Sequence, residues 1–144
     1  MKVVVVGSGG REHALAVVLG RHAEVVVTPG NAVIPGSVDV PVTELVADGS
    51  VDLVLLLQAL PFSEQPIRAL TEAARVLRPQ GRLLLTCLDL HDHRSVVAPF
   101  GHRNLGFLPA DLRRLLGDAG FQDTRITSGG VEARPPHFQV WVAT

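Results

Sequence analysis

Residues 2–6, Lys-Val-Val-Val-Val, are rich in β-branched side chains without polar alternation, the pattern of a strand covered on both faces. Gly7-Ser8-Gly9-Gly10 ends the run abruptly. From residue 11 to 19 the apolar positions Ala14, Leu15, Val18 and Leu19 recur at helical spacing, and Gly20 supplies a stop, so the spacing predicts a helix. A second strand is predicted at 24–28, completing a strand, helix, strand unit that in a parallel sheet crosses over right-handed.

Pro29-Gly30-Asn31 reads as a turn, residues 38–42 as a short extended piece whose Pro41 suits an edge strand, and residues 43–47 as a turn or two of helix. Residues 51–57, Val-Asp-Leu-Val-Leu-Leu-Leu, form the clearest buried strand, expected near the sheet centre and beside residues 3–6. Ser63-Glu64-Gln65-Pro66 has helix-start character, with Ile67, Leu70, Ala73, Ala74 and Leu77 on one apolar face ending before Pro79 and Gly81. A strand is predicted at 82–88, then a long loop at 89–107. A helix follows, with Pro109 in its first turn, Leu112, Leu115, Leu116 and Ala119 on one side, and a stop at Gly120. Residues 123–127 and 137–143 have no helix between them and are expected to pair antiparallel.

This alternation predicts a single α/β domain: a three-layer Rossmann-like sandwich, mainly parallel, with a C-terminal antiparallel strand pair. Ligands of such sheets bind beyond the carboxyl ends of the strands. The loops at 7–11, 28–31, 38–42, 58–63 and 88–107 are therefore the ones expected to carry chemistry.

Composition narrows the picture. The 144 residues suffice for one good core, and 47% hydrophobic with 19% charged residues excludes intrinsic disorder. A net charge of -1 with scattered basic residues gives no pull toward nucleic acid or an anionic membrane. The single cysteine, Cys87, lies in an apolar run, excludes an intrachain disulfide and suits a reducing cytoplasm as an inert thiol. No run is long enough to read as an export signal or a membrane span.

Two resemblances divide the chain. Residues 1 to about 50, through Val-Val-Gly-Ser-Gly-Gly-Arg-Glu-His-Ala (5–14), Pro-Gly-Asn-Ala (29–32) and Val-Asp-Val-Pro-Val-Thr (38–43), resemble the N-terminal domain of phosphoribosylamine–glycine ligase. Residues from about 51 to 144 resemble the C-terminal half of a class I S-adenosylmethionine-dependent methyltransferase. The residues that carry it are Val51-Asp52-Leu53-Val54-Leu55, Glu72-Ala73-Ala74-Arg75-Val76-Leu77-Arg78-Pro79 with Gly81-Arg82-Leu83-Leu84-Leu85, and Leu115-Leu116 with Ala119-Gly120-Phe121. Together they imply a chimera joined within residues 43–55, and the leading expectation is an engineered Rossmann-like scaffold without native catalysis. The alternatives are an S-adenosylmethionine-binding methyltransferase-like domain and a weak phosphate- or nucleotide-binding module.

The glycine turn at 7–10 places small residues where an anion can approach the open N–H groups and positive dipole end of a helix. The ligase resemblance makes Ser8, Gly9, Gly10, Arg11, Gly30 and Asn31 candidate contacts, with a small anion or phosphate as the expected partner. The methyltransferase resemblance implies an acidic residue at the end of the second strand to hold ribose hydroxyls, where this chain has Thr28-Pro29. The acidic residue expected in the first strand is also missing, and Asp39 is left as a candidate contact for an adenine amino group. Losing a bidentate carboxylate–diol interaction costs on the order of 2–4 kcal/mol, or ~30- to 1000-fold in affinity, so no cofactor is expected and S-adenosylmethionine only as a weak ligand. Asp89, His91, Asp92, His93 and His102 form the densest polar cluster, read as a solvated or substrate-side loop in preference to a metal site. His13, near the glycine turn, reads as a surface or helix-start hydrogen-bonding residue, and no nucleophile set is visible by spacing.

Overall fold

The computed structural model describes residues 1–7, 9–29 and 46–144. Among them are the strands β1 (Lys2–Gly7), β2 (Glu24–Pro29), β3 (Val51–Leu57), β4 (Leu77–Leu88), β5 (Ile126–Val131) and β6 (Gln139–Ala143). The helices are α1 (Gly10–Leu19), α2 (Pro66–Val76), the single turn α3 (Arg94–Val97) and α4 (Pro109–Asp118). The strands form one sheet in the order β2-β1-β3-β4-β6-β5. β1 pairs parallel with β2 and β3, and β6 pairs antiparallel with β4 and β5. This is the Rossmann-like α/β class that the hydrophobic pattern predicts.

The chain divides into two compact units, Met1–Leu57 with Glu72–Leu84, and Gln58–Thr71 with Leu85–Thr144. In the first, β1 is bracketed by β2 and β3, with Val5 opposite Val27 on one side and Leu55 on the other. Val3, Val5, Ala16, Val27 and Leu55 form a buried cluster, lined by Leu15, Leu19, Val25 and Leu53. Val4, Val54 and Leu56 are buried as well, which explains the missing polar alternation: both faces of these strands are covered. α1 turns inward the stripe Glu12, Leu15, Ala16 and Leu19, spaced i, i+3, i+4, i+7. Ala14 and Val18, expected on that stripe, are exposed, because the run of apolar residues from 14 to 19 made two faces equally plausible by sequence.

The turn before β3 is tied to the end of α2. Arg75 makes two hydrogen bonds to Glu72 (2.5 and 2.8 Å) and one to the Val46 carbonyl (3.0 Å), and pairs with Asp48. The Gly49 N–H donates to the Arg75 carbonyl and the Ser50 N–H to that of Val76. On β3, Asp52 accepts from the Lys2 N–H (2.5 Å) and pairs with Arg78 (2.6 Å). The Lys2 bond is the main cause that holds its carboxyl below the usual range, with Arg78 adding to it and burial opposing.

In the second unit Leu60, Leu70, Leu85, Leu112 and Leu116 are fully buried; α4 buries Leu112 and Leu116 on its predicted face, with Leu115 half-buried and Ala119 buried just past its end. Gly120 follows α4 with φ +97°, a left-handed position that favours glycine.

Three boundaries differ from expectation. β4 begins at Leu77, not residue 82, and runs through Pro79, whose fixed φ suits extended backbone even though it reads as a breaker. Within it Gly81 is required by space, since a Cβ there would lie 2.8 Å from the Arg78 carbonyl oxygen. β5 lies at Ile126–Val131, not 123–127, because Gly129 and Gly130 carry no strand signal; the ladder is irregular between Ser128 and Gly130. The 89–107 loop contains α3 and a 3₁₀ turn at Ala98–Phe100. The expected strand at 38–42 and most of the helical turn expected at 43–47 fall outside the described residues; Val46 and Ala47 are not helical.

Candidate functional site

The carboxyl ends of β1 and β2 are level, with Gly7 opposite Pro29, and α1 starts three residues beyond Gly7. Gly7 has φ +144°, and a Cβ on it would meet Glu12 Cγ at 2.7 Å, so both backbone and space demand glycine. Gly9 caps α1 with φ -94°, and its N–H donates to Glu12 Oε2 at 2.7 Å. Glu12 is only 7% exposed, so a carboxylate is folded back into the turn, where it satisfies one of the helix's open donors.

That residue changes the chemistry of the turn. The cradle expected to receive an external anion contains the chain's own carboxylate, and the Gly9 amide is already engaged. A phosphate arriving there meets a like charge, whereas an ammonium meets an acceptor. Glu12 is legible in principle, since a Glu three residues after a helix N-cap is one half of a capping box, but a glycine at the N-cap lacks the side-chain half of that signature.

Of the predicted contacts, Gly9, Gly10 and Arg11 stand together at the start of α1, with Arg11 exposed and open space around Gly10. Ser8, Gly30, Asn31 and Asp39 lie outside the described residues. Thr28, at the place where the methyltransferase resemblance implies an acidic residue, is 2% exposed. A carboxylate substituted there would be buried, so the position is unsuited to receive one. His13 is half-buried on the first turn of α1, its backbone N–H bonded to the Gly9 carbonyl.

S-adenosylmethionine carries an ammonium, a carboxylate and a sulfonium at one end and an adenosine at the other. The glycine turn with its buried carboxylate fits the ammonium-bearing end. No described residue at the end of β2 offers the ribose a carboxylate.

In the second unit, Cys87 is fully buried, and burial foremost, with Asp89 adding to it, pushes its thiol up to about 12, an inert state at neutral pH. His91 and His93 stack at 5.7 Å, and both meet the edge or face of Phe138, at 4.8 and 5.5 Å. His102 packs against Phe62 at 4.7 Å. Among the described residues no three His, Cys, Asp or Glu side chains are grouped as a metal site, and no helix is long and apolar enough to cross a membrane.

A model of the methyltransferase domain family matches residues 7–85. That range runs across residues 43–55, where the two resemblances meet, and nothing in the comparisons shows a ligase-like segment, a chimera or engineering. No curated protein matches the chain. Among solved structures, an arsenic(III) S-adenosylmethionine methyltransferase from Chlamydomonas reinhardtii is 19% identical with a TM-score of 0.66, over 99% of this chain and 62% of that one. A SAM-dependent methyltransferase from Archaeoglobus fulgidus is 14% identical with a TM-score of 0.71, over 99% and 85%. The Haemonchus contortus phosphoethanolamine N-methyltransferase 2, in complex with phosphomonomethylethanolamine and S-adenosylhomocysteine, is 13% identical with a TM-score of 0.70, over 90% and 35%. At these identities the likeness is one of fold, and the chain spans less than two thirds of the first and third of these proteins.

Proposed function

This chain belongs to the methyltransferase domain family, and we propose that it is an S-adenosylmethionine-binding methyltransferase domain whose cofactor site is built on the glycine turn between β1 and α1. The observation that carries this reading is the buried Glu12 carboxylate, 2.7 Å from the Gly9 amide at the carboxyl end of a parallel strand. It favours a ligand with a cationic amino-acid end over a phosphate, and so favours S-adenosylmethionine over a sugar phosphate or nucleotide. The family itself supports cofactor binding, which the expectation of no cofactor did not include.

In this reading the Gly9, Gly10 and Arg11 backbone approaches the amino-acid end and Glu12 supplies the counter-charge, while Asp39, outside the described residues, stays the candidate that the resemblance gives for the adenine amino group. The cofactor, when bound, supplies an electrophilic sulfonium methyl group for transfer to a nucleophile. The missing carboxylate at the end of β2 makes affinity modest, and each charge-assisted hydrogen bond forgone is worth roughly 1.5–3 kcal/mol.

The scaffold reading loses its main ground, since it rested on two incomplete families while one family model runs through both halves. Calorimetry with S-adenosylhomocysteine, S-adenosylmethionine, ATP and ribose 5-phosphate separates the three readings.

A further inference from the structure

Among the described residues three buried ring nitrogens have no hydrogen-bond partner, His91 Nε2, His102 Nδ1 and Trp141 Nε1. A polar atom closed off from water without a partner costs about 1–3 kcal/mol, so two in one loop call for an explanation. The loop is firmly braced. The His91 N–H donates to the Leu105 carbonyl (2.9 Å), the Phe107 N–H to that of Leu88 (3.0 Å), and the Arg103 and Asn104 N–H groups both to that of Pro61 (2.7 and 3.0 Å). The Asn104 side-chain amide adds bonds to the Leu60 and Ser63 carbonyls (3.3 and 2.7 Å). Both imidazoles thus stand on backbone that is held in place, beyond the carboxyl end of β4, where sheets of this class bind ligands.

The hydrogen bonding of His91 assigns its proton. Its Nδ1 accepts from the His93 N–H at 3.2 Å, so in the neutral ring the proton resides on Nε2, and the unpartnered atom is a donor. Burial lowers the basicity of both rings; for His91 the neighbouring His93 and His102 lower it further, against weaker opposite pulls from Asp92 and Asp89. The surroundings are aromatic: Phe138 edges His91, Phe62 edges His102, and Phe62, Leu90, Phe100 and Leu108 of this unit are exposed.

We propose that His91 and His102 are the polar pair of a binding site for a small uncharged aromatic molecule bearing a hydroxyl group. His91 Nε2–H donates to the hydroxyl oxygen, His102 Nδ1 accepts the hydroxyl proton, and the ring packs on the aromatic side chains. An anionic ligand would meet neutral imidazoles with Asp89 and Asp92 beside them, and a cation would meet the His91 donor. On the proposed function this is the methyl-acceptor site, a designation that rests on that reading; the binding site itself does not.

The test uses phenol as the probe, added in millimolar steps to the full chain at about pH 7.5, where both rings are neutral, and follows the imidazole Cε1–H signals by NMR. The expected result is saturable movement of the His91 and His102 signals, with toluene, which forgoes both hydrogen bonds, and benzoate binding at least about tenfold more weakly. His91→Leu loses about tenfold in phenol affinity while His91→Gln, which keeps a donor, stays near wild type. His102→Leu serves as the second variant if His91→Leu does not fold. Equal binding of phenol and toluene, or unchanged phenol affinity in the leucine variants, overturns the proposal. The titration contains no cofactor, so phenol binding without S-adenosylhomocysteine binding contradicts only the proposed function, and the reverse contradicts only this site.

Discussion

Glu12 Oε2 accepts the Gly9 N–H at 2.7 Å, which makes one side chain both the cap of α1 and the only described charge buried in the glycine turn. The two roles separate by substitution. Glu12→Gln keeps an acceptor for the Gly9 amide and is expected to unfold in urea near the wild-type midpoint. Glu12→Ala leaves the amide open and costs roughly 0.3–1.5 kcal/mol, the range for a helix cap. Equal losses in both variants would mean that the charge, not the bond, stabilises the turn.

The glycines of the turn are not equivalent. Gly7→Ala forces a side chain onto a left-handed backbone and into Glu12 Cγ, and is expected to cost about 1–3 kcal/mol. Gly10 is the first residue of α1 with nothing within 4 Å of its Cβ position, so Gly10→Ala is neutral or stabilising by up to ~1 kcal/mol. Denaturant curves of the two variants check the contrast.

How far the sequence reaches is visible in these same residues. The all-valine run of β1 and the all-apolar run of β3 announce strands buried on both faces, and the structure has them side by side as expected. The ends of β4 and β5 were hidden because Pro79, Gly129 and Gly130 speak locally for breaks; at Gly130 the pairing with Val140 that overrides the signal is a tertiary fact. At the site, the turn was legible from its glycines, but the inward direction of Glu12 depends on which face of α1 packs, which a helix apolar on two sides leaves open. Likewise the histidines at 91, 93 and 102 were visible as a cluster, whereas the bond that fixes the His91 proton follows from the fold of the loop.

Unfolding is expected to be one cooperative event, because α2 and β4 each run through both compact units. The single tryptophan, Trp141, lies in the second unit, so its fluorescence and far-UV circular dichroism should give coincident urea transitions. Separate midpoints would show two independently stable parts.

His91 and His102 have basicities lowered in the folded state, so the unfolded chain binds more protons at these two sites and folding stability rises with pH across the interval. Their contribution is complete above the ordinary histidine value near ~6.5 and declines as pH falls from there toward the lowered values. Asp52, with a lowered carboxyl, acts in a separate and more acidic window, where its contribution is lost as pH falls through its folded value. The urea midpoint should therefore fall between about pH 7 and 5, and His91→Gln should flatten that slope. An unchanged slope in His91→Gln would contradict the assignment.

The most direct test of the account is calorimetric titration of the full chain with S-adenosylhomocysteine beside ribose 5-phosphate, repeated on Glu12→Gln. One-site binding of S-adenosylhomocysteine is predicted, weaker than roughly 100 μM for want of the ribose carboxylate, weakened about tenfold further in Glu12→Gln, and accompanied by no binding of ribose 5-phosphate. Binding of ribose 5-phosphate without S-adenosylhomocysteine, strengthened when the Glu12 charge is removed, would contradict it.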